Sequence, residues 1–401
     1  MKTAISVIRK LVRLGILLVF YSQDSIQLLI RRMLSITPGL AENRILIVKP
    51  DGIGDFILLL PFLNALTAES RLSGRKITLV LNLAVKDLAH LIDRDVADKI
   101  IWVNYSRFRK IPWYRWSWLN QFSKTADGSA FFPVSSREFR GTDAIARFCW
   151  SPHRITMKND GVSVYLTQRE IHWSDRYYTS IVSPPDEVFF EFSLLRHFFQ
   201  NSGLLAGWPS QPSLIPFREE GFLYDDLAGA VVLFPGAAQR SRQWNPSNFA
   251  AVIKQLNESG LGPFVVCGSP ADRWAGEEIV NLSAPALVKN VCGKTSLTAL
   301  ATIIGQSRLL ISNETGAVHL AIALKTPVVC ISNGNHLMRY SPYPPEMNTR
   351  SVYVYPPGIN PSEEPARVLY NRFKTGSDQD INLIAPRDVV NAAIRLLTVG
   401  P

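Results

Sequence analysis

Glu314, Thr315, Gly316 and His319 place an acid, a hydroxyl, a glycine and an imidazole within six residues. The apolar run 308–312 before them reads as a buried parallel strand, and the residues from Thr315 onward read as a helix. A helix N-terminus offers unpaired N–H groups and the positive end of a dipole, which together bind anions. Gly316 would let a phosphate approach the backbone closely. Thr315 and His319 lie four apart, hence on one helix face. The group suits a diphosphate, with Glu314 beside it to accept from a hydroxyl. The alternative is an ordinary capped helix with a surface histidine.

Other loops follow predicted strands, and in open α/β sheets ligands bind beyond the carboxyl ends of the strands. Gly52-x-Gly54-Asp55 has the opening of a dinucleotide fingerprint, but Ile57 stands where the third glycine would be. The two glycines still suit a tight strand-to-helix turn that exposes Asp51 or Asp55 to a cleft. A carboxylate there could act as a general base, or merely cap its helix. In Pro235-Gly236-Ala237-Ala238 the small residues keep the backbone open, and Arg242 downstream could clamp a phosphate with two N–H groups. Gly268-Ser269-Pro270-Ala271-Asp272 puts an acid just past a strand, where it can bind ribose hydroxyls. Gly293-Lys294-Thr295-Ser296 could contact a base or a phosphate.

The elements that must position these loops alternate. Strands over 44–49, 76–81, 99–103 and 130–134 interleave with helices over 56–68 and 84–92, which implies a parallel sheet. A second series has strands over 230–234, 262–267, 286–288, 309–312 and 328–331. Its helices run over 245–256, over 297–305 and from 315, and one over 386–397 closes the chain. At 401 residues two cores are expected. The division is a basic amphipathic extension (1–43), a first βαβ domain (44–205), a linker (206–228) and a second βαβ domain (229–401), whose final helix is free to pack back on the first.

Net charge is +10, and its location matters more than its size. Residues 1–44 hold seven Lys/Arg against two acids, and residues 101–150 eight against three. A positive first half points to an anionic membrane surface or a phosphorylated substrate. No nucleic-acid motif is present, so nucleic acid is not an expected partner. The apolar run 14–21 is far short of the ~20 residues of a bilayer span and lacks a cleavage site. Arg9, Lys10, Arg13, Arg31 and Arg32 flank it, so residues 1–34 read as one or two basic helices lying on a membrane. The alternative is an extension packed on its own domain or on a partner chain. Between residues 104 and 124, Tyr105, Phe108, Trp113, Tyr114, Trp116 and Trp118 interleave with Arg107, Arg109, Lys110 and Arg115. Rings with arginines suit sugar faces or lipid headgroups, unless they form a core helix with a basic outer face. Lys49, Asp51, Arg107, Arg109, Arg115 and Trp116 are therefore candidates for the acceptor side. The four cysteines are far apart, with no CxxC or Cys/His cluster, which argues against zinc and for a reducing compartment.

Taken in order, these loops resemble the family 9 glycosyltransferases, the bacterial heptosyltransferases and their relatives. The resemblance runs over about residues 44–345. It rests on the opening from Ile45 to Pro61, then Pro235-Gly236-Ala237, the Gly268 to Asp272 loop, Gly293 to Leu297, and Glu314 to Ala323. It implies the α/β GT-B fold, two Rossmann-like domains with parallel sheets facing across a cleft, acceptor on the first and nucleotide sugar on the second. It implies inverting, metal-independent transfer of a heptose or related sugar, with no cofactor. The acceptor would be a lipopolysaccharide-core or other envelope glycolipid at the inner face of the cytoplasmic membrane. By position Asp55 matches the catalytic base, and the helix dipole is expected to keep it ionised. Gly236, Ala237, Ala238, Arg242, Asp272, Lys294, Thr295, Glu314, Thr315, Gly316 and His319 fall on the donor side. Three features depart from the family: Glu314 replaces an aspartate, Arg242 a lysine, and Ala237 and Ala238 lack hydroxyls. Two other readings remain, a sugar-nucleotide epimerase of the same fold and a non-catalytic membrane-associated binding subunit.

Overall fold

The computed structural model describes residues 2–34, 39–122, 126–159, 173–214, 217, 219 and 224–398. Its described strands form two six-stranded sheets in which every pairing is parallel. The first holds β1 (Leu40–Lys49), β2 (Lys76–Asn82), β3 (Lys99–Val103), β4 (Ala126–Phe132), β5 (His153–Met157) and β6 (Ser180–Val182). The second holds β7 (Val231–Phe234), β8 (Phe264–Val266), β9 (Val288–Asn290), β10 (Leu309–Asn313), β11 (Val328–Ile331) and β12 (Ser351–Val354). Their orders are β3-β2-β1-β4-β5-β6 and β12-β11-β10-β7-β8-β9. Counted from its own first strand, each sheet therefore has the same doubly wound order. In that topology the crevice opens where the winding reverses, between β1 and β4 and between β7 and β10. The Gly-Asp loop follows β1 and the Glu-Thr-Gly loop follows β10.

The helices are α1 (Lys2–Met33), α2 (Ile53–Ala65), α3 (Tyr105–Lys110), α4 (Pro112–Phe122), α5 (Thr142–Phe148), α6 (Glu191–Asn201), α7 (Pro246–Glu258), α8 (Arg273–Ser283), α9 (Leu297–Gln306), α10 (Gly316–Ala323), α11 (Ala366–Phe373) and α12 (Pro386–Thr398). Two of them hold the halves together. α2 buries Phe56 to Leu60, Phe62 and Leu63, and α10 buries every residue from Ala317 to Ala323. A helix apolar on all sides must be covered on all sides. These two cover each other, so one apolar core runs through both sheets.

Residues 2–33 form a single helix, and its C-terminal half is amphipathic in an unexpected sense. Phe20, Asp24, Gln27 and Arg31 are buried, while Leu18, Val19, Ile26, Leu29, Ile30, Met33 and Leu34 are exposed. The polar face packs inward on α4, through Gln23 to the Pro112 carbonyl (2.7 Å) and Gln27 to Asn120 (2.8 Å), and the apolar face looks outward. Arg9, Lys10 and Arg13 lie outside the described side chains. Among the described residues no helix is long and apolar enough to cross a membrane.

β1 starts at Leu40, inside the expected extension, because residues 40–41 pair with 126–127 beyond a bulge. The stretch expected as a helix over 84–92 is the 3-10 helix Leu83–Leu91. The closing helix α12 packs on α7 and on β10, β11 and β12, within the second half. Pro216 of the expected linker lies outside the described residues. All four cysteines are buried free thiols.

Candidate active site

In the first half, β1 ends at Lys49 and α2 begins at Ile53, with Asp55 in its first turn. Asp55 Oδ2 accepts from the Gly52 N–H at 3.3 Å, so the carboxylate does cap its own helix. It also lines the cleft, which Asp51 does not. Burial pushes the Asp55 pKa up, Lys49 pulls it down, Asp51 and Glu191 push it up again, and Arg339 pulls it down, leaving it at about 6. Burial is the largest of these effects, so the carboxyl titrates above its ordinary value. The group is still ionised at neutral pH, within reach of a base's working range.

Beneath Asp55 lies a buried set of charges. Lys49 Nζ sits 3.0 Å from Asp51 Oδ2 and 3.1 Å from Glu191 Oε1. Arg339, from the second half, reaches the other Glu191 oxygen at 3.1 Å. Burial works against the charge on Glu191, but Lys49 and Arg339 overcome it and lower its pKa. Burial likewise opposes the charge on Lys49, and Asp51, Glu191 and Asp55 together raise its pKa. Lys49 is therefore committed to Asp51 and Glu191, and Asp51 to Lys49, rather than to an acceptor.

In the second half, Thr315 caps α10, its hydroxyl accepting from the Ala317 N–H at 3.3 Å. Gly316 opens the helix against Ile53 and Gly54. His319 is buried, its Nδ1 2.8 Å from the Tyr343 hydroxyl. Burial lowers its pKa to about 4, Glu191 working against the shift and Arg242 with it. His319 is thus neutral at pH 7 and offers an anion no charge, while a helix tip offers N–H groups. Arg242 Nη2 donates to the Glu314 carbonyl at 2.5 Å. The Glu314 carboxylate is buried, accepts from Ser332 Oγ and lies 4.0 Å from Arg242. Burial raises its pKa, with Arg242, Ser332 and Ser341 opposing. Asp272 is held by the Ser269 N–H and O–H at 2.8 and 2.6 Å, close against Gly236, where a Cβ would lie 2.5 Å from Asp272 Oδ2.

These groups share one cleft of about 940 Å³ between the halves. Asp55, Gly236, Ala237, Ala238, Arg242, Asp272, Glu314, Thr315, Gly316 and His319 all line it. Six other candidates do not line the cleft. Lys294 turns back to the Asn290 carbonyl at 3.2 Å, in a turn set by Gly293 at φ 69°, and neither Lys294 nor Thr295 lines the cleft. Arg115 is fully buried and grips Asp24 of α1 with two hydrogen bonds of 3.0 and 2.7 Å. Arg109 pairs with Glu138 at 2.5 Å over the Tyr105 ring, Trp116 gives its carbonyl to Gln27 at 3.1 Å, and Arg107 is exposed outside the cleft. Sequence reasoning missed Glu191, Arg339, Tyr340 and His336. Of these His336 and Tyr340 line the cleft, and the Tyr340 hydroxyl donates to Asp55 Oδ1 at 3.3 Å.

Residues 217–356 match the family model described as glycosyltransferase family 9 (heptosyltransferase). Lipopolysaccharide heptosyltransferase 3 of Escherichia coli (strain K12) is 27% identical over 168 residues, 42% of this chain and 46% of that protein. The chain spans under half the length of the curated relatives it matches. The crystal structure of the glycosyl transferase family 9 from Veillonella parvula DSM 2008 superposes with a TM-score of 0.67 at 18% identity, covering 91% of this chain and 100% of that one. E. coli ADP-heptose lps heptosyltransferase II superposes with a TM-score of 0.58 at 19% identity, covering 88% and 98%. The GT-B fold is thus shown for both sheets.

Proposed function

We propose that this chain, a family 9 glycosyltransferase sequence over residues 217–356 on a GT-B fold, moves a sugar from a nucleotide-diphosphate donor to a hydroxyl of a cell-envelope glycan or glycolipid. The observation that carries this reading is the meeting of two helix N-termini on one cleft: α2 brings Asp55, and α10 brings Thr315 and Gly316. The donor is a heptose or related sugar on a nucleoside diphosphate, in keeping with the ADP-heptose named for a structural relative. In the reaction an acceptor oxygen attacks the anomeric carbon opposite the leaving diphosphate and inverts it. Asp55 takes the acceptor proton as that bond forms. Charge building on the diphosphate is met by the N–H groups at the tip of α10 and by Arg242, so the scheme uses no metal. Asp272 takes the ribose side. Glu314, tied to Arg242 and Ser332, holds the guanidinium in place.

The acceptor is met at a membrane. α1 points an apolar face outward and a polar face inward, the reverse of a helix that only packs on its domain. With the excess positive charge of the first half, this supports peripheral attachment to an anionic surface.

The test begins with nucleotide sugars, ADP-heptose first, screened by thermal shift, since a bound donor raises apparent stability. Transfer to lipopolysaccharide core is then measured with and without EDTA. Asp55→Asn is expected to abolish transfer and keep the donor-induced shift. Normal turnover in that variant would remove Asp55 as the base, a strict divalent-cation requirement would remove the metal-free scheme, and a product of retained configuration would remove inversion.

A further inference from the structure

The segment 332–343, which follows β11, is the most unusual backbone near the cleft. His336 and Met338 adopt left-handed φ of 55° and 69°, and Gly334 has φ 84°. Non-glycine residues held there are strained and persist only where the surroundings over-determine them. The surroundings do so here, across the two halves. Arg339 is 3% exposed. Its guanidinium donates to Ser135 Oγ at 2.8 Å and Glu191 Oε2 at 3.1 Å, and to Ser136 Oγ, all in the first half. Its carbonyl accepts from the Glu191 N–H at 2.8 Å, at the start of α6. Its guanidinium lies over the Tyr340 ring, 5.1 Å from the centroid. Tyr340 is thereby delivered to Asp55 Oδ1, while Gly52 holds Oδ2.

We infer that Tyr340 is a positioning residue for Asp55, anchored by Arg339, so that the half which binds the donor sets the carboxylate of the half which binds the acceptor. This rests on Asp55 being the base. Its two oxygens are held from opposite halves, so the carboxylate is fully oriented only when the halves are closed. A hydrogen bond donated to a carboxylate favours its charged form and so opposes the effect of burial. Burial keeps the Tyr340 phenol well above its ordinary pKa, hence a donor. The charged groups facing Asp55 are Lys49, Asp51 and Glu191 from its own half and Arg339 from the other, with neutral His319 of α10 alongside.

The test is a carboxyl 13C NMR titration of the full chain labelled at aspartate, with the Asp55 signal assigned by its loss in Asp55→Asn. Tyr340→Phe keeps the ring and removes the donor. Its Asp55 midpoint is expected to rise by about half a unit or more, the scale of a hydrogen bond to a charged group. Arg339→Lys, which keeps the charge and breaks the forked anchor, is expected to move it the same way and decides the matter if Tyr340→Phe does not fold. A wild-type midpoint in the folded variant overturns the inference even when Asp55→Asn is inactive. If Asp55→Asn instead turns over normally, the base assignment falls whatever the titration shows.

Discussion

Gly54 and His319 touch across the junction of the two halves: a Cβ on Gly54 would stand 2.7 Å from Cδ2 of His319. A Cβ on Gly316 would stand 3.1 Å from the Gly54 nitrogen. The tips of α2 and α10 can meet only because both lack side chains at the point of contact. His319 has little room to retreat, since it is buried and bonded to Tyr343. Gly54→Ala should therefore force the tips apart. A displacement near 1 Å costs about 100-fold in rate when reacting groups are aligned by it. We expect kcat/KM to fall on that scale with an unchanged circular dichroism spectrum. Wild-type kcat/KM would mean that the halves part without consequence.

The pH dependence follows from the Asp55 pKa of about 6, raised chiefly by burial. A base must be ionised, so transfer should hold above that value and fall about tenfold per unit below it. An ordinary exposed carboxylate would keep its activity about two units lower. A kcat/KM profile measured from pH 4.5 to 8, which reports the free enzyme's groups, separates the two. His319, at about 4, stays neutral throughout most of that range and should add no limb of its own.

Much of this site could be read in the chain, and the reason is local. The Gly-Asp turn and the Glu-Thr-Gly-His helix start are each short, contiguous, and placed after an apolar strand, so their position in a doubly wound sheet follows from the topology. What escaped was built from distant pieces. Glu191 meets Lys49 across 142 residues and Arg339 across 148, and no periodicity announces such a pairing. Arg115 was misread for the same reason. In a run of rings and arginines it looks like a solvated or ligand-facing cation, yet its partner Asp24 stands 91 residues upstream in a helix that the sequence presents as an appendage. Lys294 shows the opposite error: a Gly-Lys-Thr-Ser string imitates a phosphate loop, while Gly293 only serves a turn.

In the proposed reaction Arg242, which lines the cleft, meets the charge of the leaving diphosphate. Removing it leaves the helix tip intact, so binding should weaken rather than vanish. A hydrogen bond to a charged group contributes about 1.5–3 kcal/mol, hence Arg242→Ala should weaken ADP by about 10- to 100-fold. Arg242→Lys should fall between, because lysine offers a point charge in place of a planar fork. Calorimetric titration with ADP reads both, and equal affinities in all three proteins would remove Arg242 from the donor side.

The pair of Asp24 and Arg115 ties α1 to the first half. Both side chains are almost fully buried, at 2% and 0% exposure. Breaking a buried pair strands one charge and costs about 3–5 kcal/mol. Asp24→Ala should lower the unfolding free energy by about that amount. Replacing both residues by leucine should recover part of the loss, because no charge is then left unpaired. A loss below about 1 kcal/mol would show that Arg115 finds water or another acceptor.

The outward face of α1 gives the membrane prediction. Val19, Leu29 and Met33 are 57%, 57% and 76% exposed and lie away from α4, so changing them to serine should leave the melting temperature within a degree or two of the original. Fully burying an apolar side chain of this size contributes about 1.5–3 kcal/mol. Even half of that, lost at three positions, should lower partitioning onto phosphatidylglycerol vesicles by about 50-fold or more in a co-sedimentation assay. Added salt should weaken the wild-type protein's binding as well, since screening acts on the basic residues and not on the apolar ones. If the triple variant sediments with vesicles as the parent does, α1 does not dock by this face. If the parent binds phosphatidylcholine equally well, the positive charge of the first half serves the substrate and not the surface.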